Sequence, residues 1–168
     1  MDRIRRKRAV MAGFGAFGVM ALLCAGAAAH AKVDLAEART CIADSIAATV
    51  SPAVCIDAAH AACHTVAPEN AATAIVCFRD ARAVWDGGIT DALARLRASA
   101  DDTRAAVGAV ELKYDLIGSL TQCDRLEELA IVGSDTPPET ILRDKSGCEA
   151  AAAAFAYIRL HLRAQAAE

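Results

Sequence analysis

The stretch Pro68–Ala98, PENAATAIVCFRDARAVWDGGITDALARLRA, decides the fold. Pro and Glu at its start are typical of the first turn of a helix, and its large apolar residues recur at helical spacing. They are Ile75, Phe78, Val84, Trp85, Ile89, Leu93 and Leu96. The stretch therefore predicts one long helix with a buried stripe that includes Trp85. Gly87-Gly88 predicts a kink or the close approach of a neighbouring element, because glycine is a poor helix former and has no side chain.

Two shorter helices are predicted before this stretch. Asp34-Leu-Ala-Glu37 has an acidic cap with Glu three residues on, which is typical of a helix start, and this helix runs to about Thr49. Ser51-Pro52 starts a second helix, with Ser as the cap and Pro in the first turn. The second helix carries Cys55 and Cys63.

Two further helices are predicted after it. Asp101-Asp102-Thr103 is a break and a cap, and the fourth helix runs from about Arg104 to Leu129. The segment from Val132 to Lys145 is predicted to be a loop, because Gly133-Ser134 and Pro137-Pro138 interrupt helices. Ser146-Gly-Cys-Glu149 is a capping-box pattern and predicts the start of the last helix.

An apolar stripe is predicted on the fourth helix as well. Its residues recur at helical spacing: Val107, Val110, Tyr114, Ile117 and Thr121, with Leu112, Leu116 and Leu120 beside them. No strand pattern persists along the chain. The predicted fold class is therefore all-α, a small antiparallel helical bundle of about five helices whose longer members bury their stripes against each other.

Residues 1–31 are predicted to be a secretory signal peptide, which leaves 32–168 as the mature helical domain. The first eight residues include five basic ones, residues 9–29 are uncharged, and Ala29-His30-Ala31 is a small-x-small cleavage site. We therefore expect a periplasmic or secreted protein that meets the membrane only through this segment before cleavage. The alternative is a retained membrane anchor, because the uncharged stretch is long enough to span a bilayer.

Six cysteines remain after the signal peptide, and Cys24 is expected to be discarded with it. An even number in an exported chain predicts disulfides, although six cysteines allow 15 pairings. The short connections favour sequential pairing. The hypothesis is Cys41–Cys55, Cys63–Cys77 and Cys123–Cys148.

The mature domain is acidic, with 13 basic and 20 acidic residues and a net charge of −7. Such a domain repels nucleic acid and attracts basic partners. No Gly-rich phosphate loop and no Gly-x-Ser-x-Gly elbow occurs, so neither enzymatic activity nor a cofactor is predicted.

His60 and His64 share a helix face, and two imidazoles there could hold zinc or copper. However, Cys63 is assigned to a disulfide, and no further ligand lies close in the sequence. The prediction is therefore no metal site and two partly exposed histidines.

The cysteine pattern resembles that of the lysozyme-inhibitor LprI-type N-terminal domain family, small exported bacterial proteins that are mostly of unknown function. The resemblance lies in Cys55-Ile-Asp-Ala-Ala-His-Ala-Ala-Cys63, in Cys77 eight residues before Trp85-Asp86, in Cys123 and in Cys148. The chain departs from the family pattern where Ile89-Thr90 and Leu93 replace a Leu-Asn and a Tyr, and where an Arg-Asp pair before Cys123 is missing.

The resemblance implies a periplasmic protein that binds and inhibits lysozyme. Animal-type lysozymes are strongly basic, so an acidic domain would be steered towards them. The expected contact segment is the loop Gly133 to Lys145, with Asp135, Glu139 and Asp144. The alternative is a cell-envelope domain that binds another periplasmic protein or has a structural role, without inhibiting lysozyme.

Overall fold

A computed structural model of the chain describes residues 33–167, so the predicted signal peptide lies outside the described residues. The structure confirms an all-α fold of five helices with no strand among the described residues. The helices are α1 (Leu35–Ala47), α2 (Val54–His64), α3 (Ala71–Ser99), α4 (Asp102–Gly133) and α5 (Pro138–Gln165), and a 3₁₀ turn at Pro68–Asn70 leads into α3. None of these helices is both long and apolar enough to cross a membrane.

Helices α3 and α5 form the centre of the molecule. Trp85 of α3 and Tyr157 of α5 are fully buried, and their ring centroids lie 5.4 Å apart. Alanines of α5 fill the space around them, including Ala153, Ala154 and Ala156. These small side chains allow the two helices to pack closely, which explains how an Ala-rich helix forms half of the core.

Three disulfides link the helices. Cys41–Cys55 joins α1 to α2, Cys63–Cys77 joins α2 to α3, and Cys123–Cys148 joins α4 to α5. Each bond connects helices that are consecutive in the chain. Ion pairs of α5 reinforce the third link, since Arg159 pairs with Asp115 and Arg163 with Glu111 of α4.

The Gly87-Gly88 pair lies inside an unbroken α3, so the helix continues through both glycines. A Cβ added at Gly88 would lie 2.9 Å from two ring carbons of Tyr157, whereas one at Gly87 would meet nothing within 4 Å. Gly88 therefore permits the close approach of α5 that was one of the two predicted outcomes.

The predicted loop from Val132 to Lys145 is wrong in its extent. Only Ser134–Pro137 connects α4 to α5, because α4 continues to Gly133 and α5 begins at Pro138. Proline is well suited to the first turn of a helix, where its missing N–H would have no intrahelical partner.

The capping-box prediction at Ser146 is wrong for the same reason. Ser146 lies inside α5 and its hydroxyl donates to the carbonyl oxygen of Leu142, one turn earlier, at 2.8 Å. A serine bonded in this way is part of a continuing helix rather than its start.

The predicted burial of the α4 stripe is also wrong. Val107, Val110, Tyr114 and Ile117 are 44–64% exposed, whereas Leu112 and Leu116 pack against the core. Helix α4 is therefore apolar on two opposite faces over its N-terminal half, and its leucine face is the one that meets the bundle.

Candidate protein-binding end of the bundle

The predicted contact residues lie at one end of the molecule, where α4 gives way to α5. Asp135 lies in the Ser134–Pro137 connection, Glu139 in the first turn of α5 and Asp144 in the second, and all three are exposed. The structure thus brings their elements together at one end, although two of the three residues belong to a helix rather than to a loop.

The short connection is held by hydrogen bonds. The Ser134 hydroxyl oxygen lies 2.8 Å from the carbonyl oxygen of Ala130 and 2.8 Å from Oγ1 of Thr136. It also accepts the backbone N–H of Thr136 at 3.3 Å. Asp135 is therefore presented on a turn of defined shape, which reduces the entropy lost when a partner binds.

Lys145 links the two helices beside this turn. Its Nζ pairs with Oε2 of Glu127 and, at 2.9 Å, with Oδ1 of Asp124, both on α4. Hydrogen bonds to Glu127, and then to Asp124, raise the pKa of Lys145 above its ordinary value. The lysine therefore stays charged across the physiological range and acts with the Cys123–Cys148 bond to fix α5 against α4.

The end of the bundle where α4 gives way to α5 carries most of the net charge of the described residues. Residues 124–149, which we call the acidic end, contain seven acidic and three basic residues, a net charge of −4. Residues 33–167 as a whole contain 19 acidic and 12 basic residues, a net charge of −7. A basic partner would therefore be attracted to this end of the bundle more strongly than to the rest.

Exposed apolar side chains accompany the charge. Val132 is 87% exposed, and Leu126 and Ile131 are also exposed on the last turns of α4. Leu126 also lines a cavity of about 280 Å³, together with Ile141 and the Cys123–Cys148 bond among others. The acidic end thus combines apolar side chains, a recess and a charged rim, which together are typical of a protein-binding surface.

The two histidines of α2 have different environments. His60 is 2% exposed, and its Nε2 accepts a hydrogen bond from Nε1 of Trp85 at 2.9 Å. Burial, and then the neighbouring His64, lower the pKa of His60 to about 4. The expectation of two partly exposed histidines is therefore wrong for His60, whereas His64 is exposed.

These histidines form part of an aromatic cluster. The His60 ring lies edge-on to Phe78 and to Trp85, with centroid distances of 5.9 and 6.2 Å. One of its nitrogens is bonded to Trp85, and Cys63 is in a disulfide. Among residues 33–167, no group of three His, Cys, Asp or Glu side chains is arranged to hold a metal ion.

Comparison of the chain with protein-family models, with curated proteins and with solved structures finds no match. The resemblance to the LprI-type family therefore stays a prediction from the cysteine pattern. The acidic end is defined by its own geometry and charge alone.

Sequence reasoning missed the exposed apolar side chains of this end. Leu126 lines the recess between α4 and α5, and Val132 lies on the last turn of α4. The sequence does not show which of the apolar side chains α5 leaves exposed. The acidic residues were easier to identify, because charged side chains are nearly always exposed.

Proposed function

We propose that this chain is an exported, disulfide-linked helical domain that acts by binding another protein through its acidic end, with a basic lysozyme as the partner and inhibition as the result. The observation that carries the proposal is the exposure of Asp135, Glu139 and Val132 where α4 gives way to α5, together with a recess that Asp144 and Leu126 line. Inhibition of this kind needs occlusion of a cleft and no chemistry by the chain itself.

Export agrees with the disulfides. Three disulfides are typical of proteins in oxidising compartments outside the cytoplasm. The finer assignment to the periplasm rests on the predicted signal peptide.

The test is a lysozyme activity assay with protein that an expression host has exported and oxidised. We expect inhibition at low salt that weakens as NaCl rises, since screening shortens the Debye length to about 8 Å at physiological ionic strength. Absence of inhibition at a clear molar excess would contradict the inhibitor proposal.

The acidic end is tested with a triple variant, Asp135→Asn, Glu139→Gln and Asp144→Asn. A control, Asp44→Asn, Glu69→Gln and Asp91→Asn, changes the same charges at exposed positions elsewhere. We expect the first to lose at least about tenfold in affinity, roughly 1.4 kcal/mol, and the control to lose less. Equal losses would show that net charge alone attracts the lysozyme.

A second candidate is a non-inhibitory contact with another cell-envelope protein. The joint exposure of Leu129 and Val132, one turn apart on α4, favours it, because adjoining apolar side chains in solvent mark a surface that a partner can bury. Cross-linking in the envelope followed by purification would then recover one partner with the native chain and not with Val132→Asp.

A further inference from the structure

The outer face of α4 is apolar and exposed over its N-terminal half. Tyr114 is 64% exposed, and Val107, Val110 and Ile117 are each about half exposed. These residues lie on one side of the helix, opposite Leu112 and Leu116, which contact the core. We call this surface the outer α4 face; the Nζ of Lys113, on the same helix, lies 5.5 Å from the centroid of the Tyr114 ring.

A glycine lies beside this face in the middle of the helix. A Cβ added at Gly118 would meet nothing within 4 Å, although glycine weakens a helix relative to alanine. By contrast, a Cβ at Gly88 or Gly108 would lie within 3 Å of a neighbouring side chain. Packing within the described residues thus explains those two glycines but neither Gly118 nor Gly87. At Gly118, which lies beside an apolar face, close approach of another helix backbone would explain the glycine.

Charges on the two flanks of the face are placed so that a second copy complements them. Suppose that two α4 helices cross antiparallel at Gly118. A residue that precedes Gly118 by a given number of positions in one copy then lies near the residue that follows Gly118 by the same number in the second copy. Lys113 is five residues before Gly118 and Asp124 is six after it on the same flank. Glu111, which also pairs with Arg163 of α5, is seven before Gly118, and Arg125 is seven after it, towards the other flank.

The same pairing matches the apolar side chains. Val107 is eleven residues before Gly118 and Leu129, which is 55% exposed, is eleven after it. Charged residues of one copy therefore lie opposite residues of the other sign in the second copy, and apolar residues lie opposite apolar ones. A two-fold interface requires this self-complementarity.

We propose that the outer α4 face is a homodimer interface, in which two copies of α4 cross antiparallel at Gly118. The crossing is shallow, so that contacts extend over several turns on either side. Asp124 keeps its internal bond to Lys145, since its side chain is still 58% exposed and has a second carboxylate oxygen. The dimer leaves the Ser134–Pro137 connection and the first turns of α5 uncovered, whereas Asp124, Arg125 and Leu129 of the acidic end take part in the interface.

The first test is the mass of the exported protein by sedimentation and light scattering up to about 100 μM, far above a dimer Kd of roughly 1 μM. We expect a dimer, and Tyr114→Glu should raise the dimer Kd at least about tenfold while leaving the monomer helical and equally stable. Arg95→Glu, a charge change at an exposed position of α3, is the control and should not alter the dimer.

A monomer at that concentration overturns the proposal. Hydroxyl-radical labelling of Tyr114 in such a monomer would then show that the face is accessible to solvent. A dimer that Tyr114→Glu leaves unchanged overturns it as well, because its interface would lie elsewhere.

The crossing point is tested with two exposed helical glycines. Gly118→Cys should form an intermolecular disulfide across the two-fold axis, whereas Gly87→Cys should not, since Gly87 is exposed on α3, outside the proposed interface. Lys113→Glu should weaken the dimer, and the added Asp124→Asn, which removes the carboxylate that opposes the new charge, should recover part of the loss. Failure of Gly118→Cys to cross-link within an intact dimer, or the absence of any such recovery, overturns the antiparallel crossing.

Discussion

Two adjacent glycines of α3 have opposite surroundings. Gly88 faces α5, where the fully buried ring of Tyr157 occupies the space that a side chain would need, and Gly87 faces solvent. The Tyr157 ring is itself held between Trp85 and a stacked His161, with centroid distances of 5.4 and 5.5 Å. It therefore cannot move aside without disturbing the core.

We expect Gly88→Ala to lower the free energy of unfolding by about 1–3 kcal/mol, because the added methyl group overpacks the α3–α5 contact. The matched variant Gly87→Ala should raise it by up to about 1 kcal/mol, since it removes a helix-weakening glycine at an open site. Urea unfolding followed by circular dichroism measures both. Equal effects of the two changes would contradict the proposed role of Gly88.

The burial of His60, with His64 beside it, predicts a pH dependence of stability. In the folded chain the pKa of His60 is lowered from 6.5 to about 4, so the unfolded chain binds more protons between these values. The stabilising effect of the neutral ring is complete above pH 6.5 and is lost as the pH falls towards 4. It amounts to at most about 3 kcal/mol.

His60→Gln tests this dependence, because glutamine keeps an acceptor near Nε2 but does not titrate. Between pH 6.5 and 4.5 the variant should lose less unfolding free energy than the native chain. His64→Gln is the control, since it removes an exposed histidine and should leave most of the dependence in place. Parallel pH profiles for the native chain and His60→Gln would show that another group is responsible.

At the scale of the helices, the α4–α5 pair depends on one covalent link and several ionic ones. The Cys123–Cys148 bond closes 25 residues, and restricting a loop of that length stabilises the fold by about 3.5 kcal/mol. The Lys145 ion pairs are partly exposed, and pairs of that kind contribute up to about 1 kcal/mol each.

We therefore expect replacement of both Cys123 and Cys148 by Ala to cost more stability than Lys145→Met. Thermal unfolding of the two variants and the native chain gives the comparison, with intact mass confirming that the other two disulfides remain. If Lys145→Met were the more damaging change, the ionic link would be the main one.

The helix starts show what local sequence can predict. Asp34 accepts the N–H groups of Ala36 and Glu37, and Asp101 accepts that of Arg104, as their capping patterns indicate. The start of α5 was missed because Pro137-Pro138 is compatible both with a loop and with a first helical turn. Only the packing of the following turns, with Ile141 buried, distinguishes the two.

The α4 faces show what local sequence cannot predict. Both the Val107–Ile117 series and the Leu112–Leu116 series have helical spacing, and each alone would indicate a buried stripe. Which of the two series is buried depends on which face of α4 meets α5. Asp115 and Glu111 pair there with Arg159 and Arg163 of α5. For the same reason the charge of the candidate site was predictable, but its exposed apolar side chains and the Lys145 link were not.

At the scale of the whole molecule, the disulfide connectivity is local throughout. The three bonds span 14, 14 and 25 residues, and none crosses from the first half of the bundle to the last helix pair. Closing short loops costs less entropy than closing long ones.

We therefore expect the reduced, denatured chain to recover its native pairing in a glutathione buffer without an isomerase. Non-reducing peptide mapping would identify the three disulfide pairs. Oxidation in urea is the control, because the chain stays unfolded there and native structure cannot select the pairs. Persistent mixtures in the native buffer would show that the loops do not guide the pairing.

This connectivity has a consequence for a chain that crosses a membrane N-terminus first. Cys41 and Cys55 emerge on the far side before Cys63 does, Cys63 and Cys77 follow, and the final pair arrives last. Each cysteine thus meets its native partner before the later thiols arrive to compete. The order of translocation itself therefore favours the native disulfide pairing. A circularly permuted chain that began between Cys63 and Cys77 would lose this advantage, because Cys77 would emerge long before Cys63.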